Sequence, residues 1–269
     1  MENLIKAIVL GTIQGLTEFL PVSSSGHLVI FSHHLHFSQS SVAFDVFLHL
    51  GTLLSIFVLF WKELRIMIVS PFVAVFGTMN EEQKYYLRWD WYVILATIPA
   101  GIIGVLFEDQ IEVIFSSIVY SLLSLFITGL LMSSIPFIKK RQGEINSGRS
   151  FLMGVAQAFA ILPGISRSGS TIFTGILSGG DQEKVARFSF IMSVPAVAGA
   201  VILKFSELLL EPPSTAEMIN IGAGTLFAFA FGCLAIVWLL DFVKRGKLQW
   251  FGYYCLTVSI IGLVIYFGF

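Results

Sequence analysis

The stretch Gln14–His27, QGLTEFLPVSSSGH, breaks an apolar helix with a proline, three serines and a glycine. The chain does so again 143 residues later at Gln157–Thr171, QAFAILPGISRSGST. Gly11, Gln14, Ser23, Ser25 and Gly26 recur at that single offset as Gly154, Gln157, Ser166, Ser168 and Gly169. Chance would give roughly one identity in such a window, so the pattern reads as a duplicated unit of about half the chain. The spacing predicts, in each copy, a helix that stops at a Leu-Pro, turns through a Ser/Gly loop and restarts. A restarting helix points free N–H groups and its positive dipole end at the loop, which suits an anion.

The two copies offer different chemistry. The first carries Glu18 and His27, the second Arg167. Arginine matches phosphate because its planar fork donates two parallel hydrogen bonds. Ser23, Ser24, Ser25, Ser166, Ser168 and Thr171 supply hydroxyl groups, with Gly26 and Gly169 leaving backbone accessible, and these residues form the candidate substrate-binding set. His27 titrates near neutral pH and suits acid–base or nucleophilic work. Gln14 lies one helical turn before Glu18, so both can face one divalent cation or phosphate. Simpler duties exist for each: Glu18 paired only with Arg167, His27 capping a helix, serines lining a turn. Charged residues in broken membrane helices are costly, however, and that cost favours a functional reading.

Broken helices of this kind belong in a bilayer here because 56% of the residues are hydrophobic and only 12% charged, with a mean hydropathy of +0.85. No hydrophilic stretch is long enough for a separate domain, so residues 1–269 read as one integral-membrane unit, with repeats at about 1–137 and 144–269. A net charge of −1 and the lack of a basic tract give no reason to expect nucleic acid. Cys233 and Cys255 both sit in apolar segments and make no disulfide framework or metal motif. Residues 1–20 do not read as a cleavable signal peptide.

The expected fold is all-α: six transmembrane helices plus two re-entrant helix pairs, in an inverted-topology repeat. Apolar spans fall at about 43–60, 91–107, 115–137, 186–205, 217–241 and 249–269. Residues 66–78 are apolar but short, suiting the interface, and Glu81–Asp90 reads as an aqueous loop. Three spans per half is an odd number, so the second half enters upside down. Loops 61–90, 138–149, 179–187 and 243–248 then share one side, and they hold every Lys and Arg except Lys6, Arg167 and Lys204. Glu108, Asp109, Glu112, Glu207 and Glu211 fall on the other side. The basic side is expected to be cytoplasmic, with both termini outside. The two turns can then meet near mid-bilayer, where Arg167 needs an anion, either Glu18 or a ligand phosphate. His33, His34 and His36 read as a solvated cluster, and His49 as a buried, hydrogen-bonded histidine.

Two long motifs now resemble a known family. Gln14-Gly-Leu-Thr-Glu18 with Pro21-Val-Ser-Ser-Ser-Gly-His27, and Pro163-Gly-Ile-Ser-Arg-Ser-Gly-Ser-Thr171, are similar to the two marks of the bacterial undecaprenyl-diphosphate phosphatases, also called the bacitracin-resistance family. The resemblance covers nearly the whole chain. It implies hydrolysis of undecaprenyl diphosphate to the monophosphate carrier lipid for peptidoglycan synthesis, in the bacterial plasma (inner) membrane, with bacitracin resistance as a consequence. It also implies a divalent cation (Mg2+ or Ca2+) and essential roles for Glu18, His27 and Arg167, with Ser24 a candidate nucleophile. Many members have Glu where this chain has Gln14, which bears on the cation's ligands. Serine attack, histidine attack and direct water attack all remain open, as does a homodimer. A polyprenyl-phosphate flippase or secondary transporter is the rival reading, since inverted repeats with broken helices also build transporters. The membrane acid phosphatases are excluded, because they need a histidine soon after their Ser-Arg and none follows His49.

Overall fold

A computed structural model of the protein describes residues 2–35, 37, 42–107, 117–210 and 213–268. Glu108, Asp109, Glu112, Glu211 and His36 lie outside these residues, as do the side chains of His33, His34 and Glu207. Among the described residues the chain is all-helical, apart from one isolated bridge between Gly143 and Gly180.

The first break falls where the proline and serines place it. Helix α1 (Glu2–Phe19) ends at a short turn and α2 (Ser24–Leu35) restarts behind it. Helix α3 (Val42–Leu59) follows, bent by 81° from α4 (Trp61–Phe76) at Phe60. Next come α5 (Glu81–Leu106) and α6 (Ile118–Ser134). The second break lies between α7 (Ser147–Phe159) and α8 (Arg167–Leu177), and α9 (Gln182–Leu210), α10 (Thr215–Lys244) and α11 (Gln249–Gly268) complete the chain. Among the described residues five helices are long and apolar enough to cross a membrane, and a sixth span results if the bent pair Ala43–Leu59 and Trp61–Phe76 counts as one. On α5, Ile94, Ile98, Ile102 and Val105 form an exposed apolar stripe at helical spacing, as a lipid-facing helix requires.

One expectation needs correction. The charged run Glu81–Asp90 is not a loop but the first turns of α5. Asn80 caps that helix, accepting from the Gln83 N–H while the Gln83 side chain accepts from the Asn80 N–H. Hydropathy marks where a helix lies in hydrocarbon; it does not mark where the helix starts in water.

Packing relies on small residues where helices cross. A methyl group added at Gly11 in α1 would overlap the Gly224 carbonyl of α10, and one added at Gly15 would meet the Ala228 carbonyl at 2.6 Å. The helices therefore run side by side in the same direction. A methyl group at Gly154 in α7 would overlap the Ala96 carbonyl of α5, and further along Gly104 faces Ile161. That pair is parallel too. Helix α9 runs with α5, since Trp89 meets Phe188 edge-on and Pro195 lines a groove with Val93, Thr97 and Gly101. It runs against α10, whose C-terminal Lys244 lies 3.8 Å from Glu183 at the start of α9.

The largest buried cluster contains Phe19, Ile56, Phe60, Phe188 and Phe190, with Phe19 set edge-on against Phe190 at 5.6 Å. Phe19 directly follows Glu18, so this apolar mass adjoins the first turn.

Candidate active site

Each turn is braced from within in the same way. Ser23 and Ser166 are N-caps: the Ser23 Oγ accepts from the Gly26 N–H at 3.2 Å, and the Ser166 Oγ accepts from the Gly169 N–H at 3.1 Å. Each also shares a hydrogen bond with the serine two residues on, Ser25 at 3.3 Å and Ser168 at 3.2 Å. Ser23 has a left-handed backbone (φ 67°), which costs a non-glycine residue on the order of 1 kcal/mol. Gly164 (φ 88°) supplies the corresponding sharp bend in the second turn, where a side chain would also overlap the Ser121 carbonyl.

The two turns touch. The Gly164 N–H donates to the Ser25 Oγ at 3.3 Å, and the Ser168 hydroxyl donates to the Leu20 carbonyl at 3.2 Å. A Cβ on Gly26 would come within 3.2 Å of the Gly164 Cα, and one on Gly169 within 3.3 Å of the Pro21 Cβ. Glycine at 26 and 169 is what lets the helix starts approach this closely.

Across the contact the chemistry converges on Glu18, which is buried. Its Oε1 accepts from the Arg167 Nη2 at 2.6 Å. Its Oε2 accepts from the Ser24 hydroxyl at 2.6 Å and from the Gln14 Nε2 at 3.0 Å. The carboxylate thus collects a guanidinium, a hydroxyl and an amide. Two buried atoms at this centre have no partner, Arg167 Nη1 and Gln14 Oε1. A buried guanidinium nitrogen without an acceptor is costly unless an anion completes it.

His27 takes a different position from one beside Ser24. Its Nδ1 lies 2.8 Å from the Ser23 carbonyl and its Nε2 lies 2.8 Å from the Tyr254 hydroxyl. Three residues along the helix, its ring is turned back onto its own turn, and both ring nitrogens are engaged by groups other than Ser24 and Glu18. His49 is hydrogen-bonded as expected, its Nδ1 lying 3.1 Å from the Gln14 Nε2, but its side chain is 39% exposed rather than buried. It stands 3.8 Å from the Glu18 Oε2 and so adjoins the site. Thr171 lies further into the protein, donating to the Arg167 carbonyl and sharing a 2.6 Å hydrogen bond with Ser189.

Several residues that shape the site have no sequence motif of their own. Thr128 on α6 donates to the Gly164 carbonyl at 3.1 Å and accepts from the Ser166 N–H at 3.0 Å, pinning the second turn. Cys255 on α11 reaches the Pro21 carbonyl at 3.7 Å, and Tyr254 beside it reaches His27. Polarity alone does not single them out, since the same helices carry Ser121 and Ser124 near Thr128, and Tyr253 and Thr257 near Tyr254.

A family model described as bacitracin resistance protein BacA matches residues 7–261. The chain belongs to this family. It is 40% identical to an undecaprenyl-diphosphatase of Methanobrevibacter smithii, over 99% of this chain and 98% of the relative. It is 38% identical to one of Bacteroides fragilis, over 97% of each chain, and 40% identical to one of Moorella thermoacetica, over 98% of each. The match to the bacitracin-resistance family spans both turns and the helices that pin them.

The donor set also bears on a cation. Among the described residues no group of three or more His, Cys, Asp or Glu side chains is placed to hold a metal. Gln14 Oε1 is free, but both Glu18 oxygens are already engaged. One carboxylate and one amide carbonyl would fit a divalent cation, Mg2+ or Ca2+, only if it took its other ligands from phosphate and water.

Proposed function

We propose that the protein hydrolyses undecaprenyl diphosphate to undecaprenyl phosphate and inorganic phosphate, recycling a carrier lipid for cell-wall synthesis and so conferring resistance to bacitracin. One observation carries the reading: a serine hydroxyl and an arginine guanidinium are held on a single buried carboxylate, where two helix starts face each other. The relatives' name, undecaprenyl-diphosphatase, agrees with it.

Phosphoryl transfer needs an attacker, charge stabilisation and proton management. In this reading Ser24 Oγ attacks the terminal phosphorus and its proton passes to Glu18, to which its hydroxyl already donates at 2.6 Å. The bond that breaks joins that phosphorus to the bridging oxygen, and the lipid monophosphate departs with the electron pair. A monophosphate is a good leaving group and needs no strong acid. Arg167 turns its unpartnered Nη1 to the phosphoryl oxygens while Nη2 keeps Glu18 in place. Helix starts α2 and α8 add N–H dipoles. Water then attacks the phosphoserine phosphorus and the bond from phosphorus to Ser24 Oγ breaks; Glu18 returns its proton to that oxygen, and the water's own protons leave with the released dihydrogen phosphate. A divalent cation held by Gln14 Oε1, Glu18 and the diphosphate would neutralise substrate charge.

The same reading places the chain in the plasma membrane as an inverted repeat. Its support is directional: α1 runs with α10, α7 runs with α5, α5 runs with α9, and α9 opposes α10, so α1 and α7 run oppositely. The bracing of the turns supports it too, since Ser23–Gly26 and Ser166–Gly169 repeat one hydrogen bond at the 143-residue offset. Arg187 with Glu63 and Glu183, Lys62 with Glu82, and Lys184 with Glu144 all gather at the end bearing the basic loops. That end is cytoplasmic in this reading, and both termini are outside.

Phosphate release from undecaprenyl diphosphate by purified protein in detergent tests the function. In micelles no sidedness exists, so a flippase would release nothing. Turnover that falls on chelation and returns with Mg2+ or Ca2+ is expected. Binding of the lipid without release would overturn the hydrolase reading.

A further inference from the structure

We propose that Tyr254 is a positioning residue for His27, fixing the tautomer and plane of the imidazole and, through it, the turn that carries Ser24. The proposal rests on the phosphatase reading above for its kinetic arm only.

The hydrogen bonds determine the tautomer. The Ser23 carbonyl can only accept, so His27 Nδ1, 2.8 Å away, carries a proton. In the neutral ring Nε2 then holds a lone pair, and the Tyr254 hydroxyl donates to it at 2.8 Å. The two rings lie within 11° of parallel with centroids 5.6 Å apart, so Tyr254 fixes the ring plane as well. His27 is 2% exposed, whereas Tyr254 is 46% exposed and stands outside it.

The consequence runs from Tyr254 to the nucleophile. Ser23 holds an unfavourable left-handed backbone, and its carbonyl accepts from both the His27 N–H at 3.2 Å and Nδ1. Ser24 is the next residue. Without the Tyr254 hydroxyl, Nε2 is a buried acceptor with no partner, and the alternative tautomer, which gives up the Nδ1 bond to Ser23, becomes competitive. Tyr254 is well anchored for this duty, because the adjacent Cys255 bonds the Pro21 carbonyl of the same turn.

Tyr254→Phe keeps the ring and removes only the hydroxyl. It is expected to lower kcat about tenfold, the worth of one hydrogen bond, with KM for the lipid diphosphate nearly unchanged. Added to His27→Ala it is expected to cost nothing more, since its effect passes through His27. Nitrogen-15 spectra of histidine-labelled protein, with the His27 signals assigned by their loss in His27→Ala, give a reading independent of activity. The Nε2 signal should move in Tyr254→Phe to the position of an imine nitrogen with no donor. An unmoved signal, or an equal loss of kcat in both backgrounds, would overturn the proposal. If the wild-type protein released no phosphate, the hydrolase reading would fail and the nitrogen signal alone would decide the Tyr254–His27 relationship.

Discussion

Arg167 and Glu18, 149 residues apart in the chain, meet through a 2.6 Å charge-assisted hydrogen bond where the two turns face each other. The pair is largely buried, the Glu18 side chain 7% exposed and that of Arg167 15%. Removing one partner of such a pair usually costs about 3–5 kcal/mol, because the other charge is left uncompensated. The two ends of the guanidinium differ: Nη2 holds the carboxylate, whereas the buried Nη1 has no hydrogen-bond partner and on the proposed function is the group that meets the substrate phosphate.

That division gives the first prediction. Arg167→Lys keeps the charge but cannot serve both duties, since an ammonium has no planar fork. Turnover of undecaprenyl diphosphate should fall about 10²–10³-fold, as for loss of one donor to the developing charge. Steady-state phosphate release checks it, and near-normal kcat would make Arg167 a structural partner of Glu18 alone.

Helix crossings at glycine give the second. Gly11→Ala and Gly154→Ala each push a methyl group into a backbone carbonyl, of Gly224 and Ala96 respectively. Neither contact can yield without separating two helices. Each substitution should destabilise by about 1–3 kcal/mol. Thermal unfolding in detergent should show comparable losses for both, whereas Gly101→Ala, with open space around it, should be silent.

Orientation gives the third. Single cysteines replacing Phe107, at the end of α5, and Lys140, in the basic loop, should label from opposite sides of intact cells, in a background with Cys233 and Cys255 changed to serine. Labelling from one side would contradict the inverted repeat.

The sequence made the two breaks legible because proline, serine and glycine have strong local preferences, and an offset of 143 residues aligned them. It also showed that Arg167 required an anion, with Glu18 as one of two choices. It did not show that Ser24 faces Glu18 while His27 turns away. Both residues belong to the first turn of one helix, and a three-residue spacing does not say which ring nitrogen finds which partner. Tyr254 and Thr128 were out of reach for a different reason. Each acts on a turn through tertiary packing, Tyr254 across 227 residues, and carries no motif. The aqueous start of α5 was missed because charges that exclude a segment from hydrocarbon are fully compatible with a helix.

The central claim is that Ser24, activated by Glu18, attacks the terminal phosphorus. Rapid acid quench of the enzyme with substrate labelled in that phosphate tests it most directly. The account predicts acid-stable label on Ser24, absent in Ser24→Ala and strongly reduced in Glu18→Gln. Acid-labile, base-stable label on His27 would contradict it.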